Sequence, residues 1–309
     1  MAKLPEMYNL STDISYALSR GLPVVALESA VITHGLPRPH NLELAREMER
    51  IIRESGVAPA TIALINGEIK IGLTDEELVN LAQEENLTKI SLRNMGIGLA
   101  RGLSGGTTVA GTLFTAHMTG IKVFATGGIG GIHRGNPFDV SADLNALAEH
   151  PVVVVCAGAK AILDLPATLE ALDTRGVPVL GFGTEDFPAF YSRSSGLPVD
   201  FRVDHPGEVV EIARAHWKAG HRSAILVGNP VPESDALDPD QIEQSIKQAI
   251  REAEDAGISG AALTPFLLER VNLASAGESM QTNLSLLRNN ARLAAEIAIH
   301  FSDSNLVTF

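Results

Sequence analysis

The sequence predicts an α/β protein: a three-layer α/β/α sandwich around a mostly parallel, mixed sheet. Three observations predict it. Short, almost continuously apolar runs alternate with amphipathic stretches. Glycines follow the ends of several of those stretches. One Asn-Gly pair, Asn66-Gly67, separates two β-rich runs.

The apolar runs lie at residues 23–27, 60–65, 121–125, 152–156, 177–181 and 224–227. Their lack of alternation suits strands covered on both faces. The amphipathic stretches at 41–55, 75–85, 165–174, 206–219 and 240–256 read as helices. His40 or Asn41 starts the first, and Gly56 follows its end. Gly176, Gly220 and Gly257 close three others, where a left-handed residue ends a helix cheaply. Strand, helix, strand in succession implies right-handed crossovers and helices on both faces of the sheet. Asn66-Gly67 between 61–65 and 69–71 is a hairpin signal, so part of the sheet is expected to be antiparallel. Residues 264–300 read as a helical tail. No linker, repeat or low-complexity segment divides the chain. Length alone suggests about two domains, but the pattern is read as one catalytic domain over 1–309.

Composition narrows the function classes. The chain of 309 residues is 45% hydrophobic, enough for a large core. Its net charge of −13 argues against a nucleic-acid polymer as partner, since phosphate backbones need a basic face. The single Cys, Cys156, excludes an internal disulfide and a multi-Cys zinc site. It follows Val152-Val-Val-Val155 and reads as a small buried hydrophobe. No run approaches the ~18 apolar residues of a membrane span, and the N-terminal segment has no signal-peptide pattern. A soluble cytoplasmic protein is expected.

The densest glycine region is Gly102-Leu-Ser-Gly-Gly-Thr-Thr-Val-Ala-Gly111, running into a helix over 107–117. Free backbone N–H groups at such a helix start suit phosphate. A second stretch, Thr126-Gly-Gly-Ile-Gly-Gly-Ile-His-Arg-Gly135, follows an apolar run, where open α/β sheets bind ligands. The plainer alternative is tight turns alone. Neither stretch fits a Walker motif, and Asn136-Pro137 stops the second from opening a helix as a dinucleotide fingerprint would. Asp139 and Asp143 share a face if both lie on a helix. Alternatively Ser141 caps a helix beginning near Ala142, with Asp143 in its first turn and Asp139 outside, beside the glycine loop. A lone Asp near phosphate and water could hold Mg²⁺ or Mn²⁺.

Lys160 stands just past the apolar run 152–156. An amine held neutral there is a nucleophile toward carbonyl carbon. A surface lysine on a following helix is the competing reading. Glu28 occupies the same position after Val24-Val-Ala-Leu27, where an apolar setting makes a carboxyl a general acid. An acid near a helix start is the alternative. Lys89 precedes Ile90-Ser91, read as a further strand, where a solvated edge lysine is the plain expectation. Parallel strands bring such ends to one rim. The residues together describe an enzyme with a phosphorylated substrate, a lysine nucleophile and a carboxylic acid.

Several motifs sharpen this. They are Ala26-Leu-Glu-Ser-Ala-Val-Ile-Thr-His-Gly-Leu-Pro-Arg-Pro-His-Asn41, Ala63-Leu-Ile-Asn-Gly67, Phe124-Ala-Thr-Gly-Gly-Ile-Gly-Gly-Ile-His-Arg-Gly135 and Asp139-Val-Ser-Ala-Asp-Leu144. Further along stand Val155-Cys-Ala-Gly-Ala-Lys-Ala-Ile-Leu-Asp164, Phe187-Pro-Ala-Phe-Tyr191, Thr264-Pro-Phe-Leu-Leu268 and Asn283-Leu-Ser-Leu-Leu-Arg-Asn-Asn-Ala291. From about residue 10 to 300 the chain resembles the pseudouridine-5′-phosphate glycosidases, relatives of the indigoidine synthase A-like proteins. The resemblance implies reversible cleavage of the C–C glycosidic bond of pseudouridine 5′-phosphate into uracil and ribose 5-phosphate. It implies a Schiff-base role for Lys160, proton donation by Glu28, and Mn²⁺ on Asp139. It places Lys89, the Val109 backbone, Ser141, Ala142 and Asp143 against substrate, and Thr126 and His133 in the phosphate and sugar pocket. Asn283 matches the uracil-recognising amide. A homotrimer of α/β/α subunits is implied.

The sequence departs from the family pattern in three places. Ser91-Leu92-Arg93-Asn94 lacks one base and an acid, Ala161 stands where a Ser is common, and the loop at 136–138 is short. Rival readings are a Schiff-base aldolase on another sugar phosphate, a role in indigoidine-type metabolism, and a catalytically silent phosphosugar-binding protein. The silent protein predicts binding without an imine.

Overall fold

The computed structural model describes residues 4–258 and 263–303. The first three residues of the N-terminal segment lie outside the described ones.

In chain order the elements begin with β1 (Tyr8–Leu10), α1 (Thr12–Arg20), β2 (Val24–Leu27), a π-helical turn (Val31–Gly35), α2 (His40–Glu54), β3 (Ala58–Ile65) and β4 (Glu68–Ile71). Then come α3 (Asp75–Gln83), α4 (Leu92–Arg101), β5 (Gly105–Gly106), α5 (Val109–Thr119), β6 (Val123–Ala125), β7 (Ile132–His133), β8 (Asn136–Val140) and α6 (Ala142–Glu149). The second half runs through β9 (Val153–Cys156), β10 (Leu163–Asp164), α7 (Leu165–Thr174), β11 (Val179–Phe182), β12 (Phe201–Val203) and α8 (Pro206–Lys218). It closes with β13 (Ile225–Gly228), α9 (Pro239–Asp255), α10 (Leu263–Ala274) and α11 (Glu278–Asp303).

The main sheet is ordered β1-β4-β3-β2-β6-β9-β13-β11-β12, with β5 also on β3. Every pairing from β3 through β2, β6, β9, β13 and β11 to β12 is parallel. The hairpin at Asn66-Gly67 forms as predicted: β3 and β4 are antiparallel, and both turn residues have positive φ (51° and 76°), as a type I′ turn demands. On one face α11 packs against α2 and α8 and lies on β2, β6 and β9. On the other, α5 packs on α6 and against β2, β3 and β6. The central strands are therefore buried on both sides, which is why they read as unbroken apolar runs.

Several expectations change. The run after Lys89 is no strand: Ile90 makes a single bridge to Thr107 and the chain turns into α4, capped by Ser91 and Asn94. Two internal glycines hid that helix. Gly98 is there for a close approach, because a Cβ would meet the Leu64 side chain. The helix expected over 107–117 begins at Val109, capped by Thr108. The tail is two helices, broken where Ala276 and Gly277 take positive φ. Asp139 lies in β8, so it does not share a helical face with Asp143.

Candidate active site

Three neighbouring strand ends build the site. Glu28 directly follows β2 and Thr126 directly follows β6, and Leu27 pairs with Ala125 in register. The Thr126 hydroxyl donates to Glu28 Oε1. β2 is where the strand order turns, with β3 on one side and β6 on the other, the place where open sheets leave a crevice. Next to β6 is β9, and Lys160 lies in the loop beyond it. That loop is stitched to the one after β6. The Ala157 N–H donates to the Gly127 carbonyl (2.9 Å), Ile129 N–H to Gly158 (3.1 Å) and Lys160 N–H to Ile129 (3.0 Å). Gly158 permits the crossing: its φ is +91° and a Cβ would overlap the Pro188 carbonyl. Arg134 fixes the far side of Lys160 by donating to the carbonyls of Ala161 and Leu163 (both 3.0 Å) while pairing with Glu243 at 2.7 Å.

The charges act on one another. Burial pushes the Glu28 carboxyl up from its ordinary value; Lys160 and the Thr126 hydrogen bond oppose this, Asp143 adds to it and Lys89 opposes it. Burial lowers Lys89, with Lys160 adding to the effect against Glu28 and Asp143. His133 is also lowered, chiefly by burial, then raised by Asp139 and lowered by the two lysines. Hence Glu28, Lys89, His133, Asp139, Asp143 and Lys160 occupy one electrostatic neighbourhood. Lys89 is half-buried within it and is not the solvated edge lysine first expected.

Ser141 caps α6 by accepting the Asp143 N–H (3.2 Å). The buried Asp143 carboxylate then accepts from Ala110 N–H (2.9 Å) and Gly130 N–H (2.8 Å). It clasps the start of α5, where Val109 is the first residue, to the loop after β6. The expected cradle of free N–H groups is thus modified: Asp143 takes the Ala110 N–H, and Gly105-Gly106 form a strand, Gly105 pressed against the Thr88 backbone and Gly106 against the Ser29 carbonyl. Ala142 is exposed at the start of α6. On α11, Asn283 lines a cavity of about 330 Å³ with Thr33, His34, Tyr191 and Asn272. That cavity borders the charged cluster, since His34 in its wall feels the charge of Lys89. Cys156 is buried and its thiol is pushed up to about 12 by burial, which fits an inert core residue.

Residues 13–300 match the family described as indigoidine synthase A like protein. The chain belongs to that family. A pseudouridine-5′-phosphate glycosidase of Caldanaerobacter subterraneus subsp. tengcongensis is 52% identical over 296 residues, 95% of this chain and 96% of that one. One from Clostridium botulinum is 49% identical, covering 98% and 99%. Among solved structures, a prealnumycin C-glycosynthase in complex with ribulose 5-phosphate superposes with a TM-score of 0.91 at 37% identity, covering 98% of this chain and all of the other. An indigoidine synthase A-like protein of Thermotoga maritima gives 0.89 at 35%, covering 98% and 99%.

Two departures from the family pattern have physical counterparts. Asn94, in the segment that lacks the acid, accepts from Ser91 N–H (2.8 Å) and donates to the Lys89 carbonyl (3.0 Å). An acid could do only the first. Ala161 keeps its carbonyl engaged with Arg134 and has no side-chain partner to lose. For a family metal, the described residues offer no cluster of three His, Cys, Asp or Glu side chains. Asp139, half-buried and in the field of His133, suits at most a hard ion that keeps most of its water. Sequence reasoning missed Asn290, Asn229, Arg134 and Phe190 as parts of the site. Only Phe190 carries a backbone signature, a φ of +66°, and its ring lies over Gly128. Amides and an arginine in helices and loops give no sequence signal of this kind.

Proposed function

We propose that the protein is a pseudouridine-5′-phosphate glycosidase. The observation that carries this reading is a half-buried Glu28 carboxyl biased toward its protonated form, in electrostatic reach of Lys160 in the loop past β9, two strands away. A C–C glycosidic bond has a poor leaving group, so two oxygen-glycosidase carboxylates are not enough. Glu28 gives its proton to the ribose ring oxygen as Lys160 Nζ bonds to C1′ and the C1′–O bond breaks. The Glu28 carboxylate then takes a proton from the Lys160 ammonium and passes it to C5 of the base. The nitrogen lone pair forms the C1′ iminium, and the C1′–C5 electrons restore the uracil double bond. Water hydrolyses the iminium to ribose 5-phosphate and frees Lys160. In the opposite direction the reaction is a hydro-lyase-type synthesis of pseudouridine 5′-phosphate.

Lys89, His133, the Val109 backbone and residues 141–143 surround the sugar phosphate, whose binding supplies energy remote from the broken bond. Asn283 in its cavity recognises uracil. Asp139 would hold Mn²⁺ or another divalent ion, which would balance phosphate charge; chelation by EDTA that leaves the rate unchanged opposes a catalytic role for it. The assembly is proposed as a homotrimer working in the cytoplasm. Among the described residues no helix is long and apolar enough to cross a membrane.

The test is loss of pseudouridine 5′-phosphate absorbance with release of uracil, and borohydride trapping with ribose 5-phosphate. Wild type should be labelled at Lys160, and Lys160→Ala should fall to background with no label. Label at another lysine overturns the assignment. Turnover of aldol donors in place of the C-nucleotide favours the aldolase reading.

A further inference from the structure

One buried amide braces the loop after β6, which holds Glu28 through Thr126 and is hydrogen-bonded to the Lys160 loop. Asn290, on α11, is fully buried. Its Nδ2 donates to the Thr126 carbonyl at 2.8 Å and lies 3.5 Å from the Gly127 carbonyl. Its Oδ1 accepts from Asn229 Nδ2 at 3.0 Å. Asn229, itself buried, follows β13, and its backbone N–H donates to the Cys156 carbonyl at 2.8 Å. The two carbonyls that Asn290 faces belong to the residues that matter. Thr126 holds Glu28 through its hydroxyl, and the Gly127 carbonyl receives the Ala157 N–H of the Lys160 loop. The loops after β6 and β13 therefore meet at the Asn290 side chain, and the end of β9 with its loop is tied to both by backbone hydrogen bonds.

We propose that Asn290, oriented by Asn229, is a positioning residue that sets the spacing between Glu28 and Lys160 by fixing the Thr126-Gly127 backbone. The chemistry demands a carboxamide. The position needs a donor toward two carbonyls and an acceptor toward Asn229 at the same time. Asp offers no donor and Leu offers neither group. Buried polar groups left without partners are expensive, so the loops would shift to find others. A shift of about 1 Å between reacting groups is enough to lose roughly a hundredfold in rate. The inference rests on the glycosidase reading for its kinetic arm only.

The experiment compares Thr126→Val, Asn290→Ala and their double variant. Glu28 is surrounded by Lys160, Lys89, Asp143 and the Thr126 hydroxyl, and that hydroxyl favours its carboxylate. If Asn290 places Thr126, either substitution moves the Glu28 titration upward, and the double variant moves it no further. Carboxyl ¹³C signals of labelled protein, assigned with Glu28→Gln, report this without substrate. In turnover, Asn290→Ala should lower kcat by roughly ten- to a hundredfold with KM within about threefold. A variant that loses only thermal stability, with kcat and the Glu28 titration as in wild type, overturns the proposal. Should Asn290→Ala fail to fold, Asn229→Ala releases the same amide and is judged by the same two readouts. Absence of uracil release from wild type would sink the glycosidase reading and leave the titration arm to decide this one.

Discussion

Glu28 sits in a setting that disfavours its charged form, and this has a consequence for stability. A carboxyl whose folded pKa is raised binds its proton more tightly in the folded chain than in the unfolded one. Folding is therefore favoured at low pH, and that advantage is lost as pH rises from the ordinary 4.5 through the raised value. At neutral pH the half-buried carboxylate is a burden. Glu28→Gln should melt at a higher temperature than wild type at pH 7, with the gap closing below about pH 4.5. Uracil release should drop at least roughly a hundredfold, as expected for a lost general acid. Differential scanning fluorimetry across pH 4–8 checks the first part, and a lower melting temperature at pH 7 would contradict it. Such residues are readable in a sequence because they sit at apolar strand ends. Asn290 is not, since one Asn among the polar positions of a long helix looks like any other.

At the level of elements, the site is a meeting of ends: β2, β6 and β9 at their carboxyl ends, α5 and α6 at their starts. Asp143 joins the two helix starts to the loop after β6. Gly130 makes this possible, because a Cβ there would stand 2.7 Å from Ser141 Cβ and 2.8 Å from Asp143 Oδ2. Gly130→Ala should push the α6 start away. A destabilisation of about 1–3 kcal/mol is expected from overpacking, together with a raised KM for the phosphorylated substrate. Denaturant unfolding and steady-state kinetics measure both, and an unchanged KM would show that the clasp does not shape the pocket. The apolar strands and the hairpin were legible because burial on both faces and the Asn-Gly turn leave local marks. The helix α4 was not, because Gly96 and Gly98 lower its propensity while packing against Leu64 favours it. The short pairing of β7 with β10 depends on contacts about thirty residues apart and leaves no local pattern.

For the whole molecule, a charge of −13 coexists with a site built for an anion. The resolution is local: two lysines, a histidine and helix starts gather at one rim of the sheet, and the rest of the surface carries the negative excess. The same polarity separates stability from chemistry along a single strand. Ile121 is 1% exposed just before β6, while Thr126 stands just after it. Ile121→Ala removes core volume far from the reacting groups and should cost about 2–5 kcal/mol of folding free energy. Its kcat, measured well below the unfolding transition, should stay within about twofold of wild type, since distant sites act independently. Thr126→Val should do the reverse, altering the pH dependence of turnover with little change in the unfolding midpoint. If Ile121→Ala instead lowered kcat tenfold in the folded protein, the two rims would be mechanically coupled through β6, and placing the chemistry at the carboxyl ends alone would be too simple.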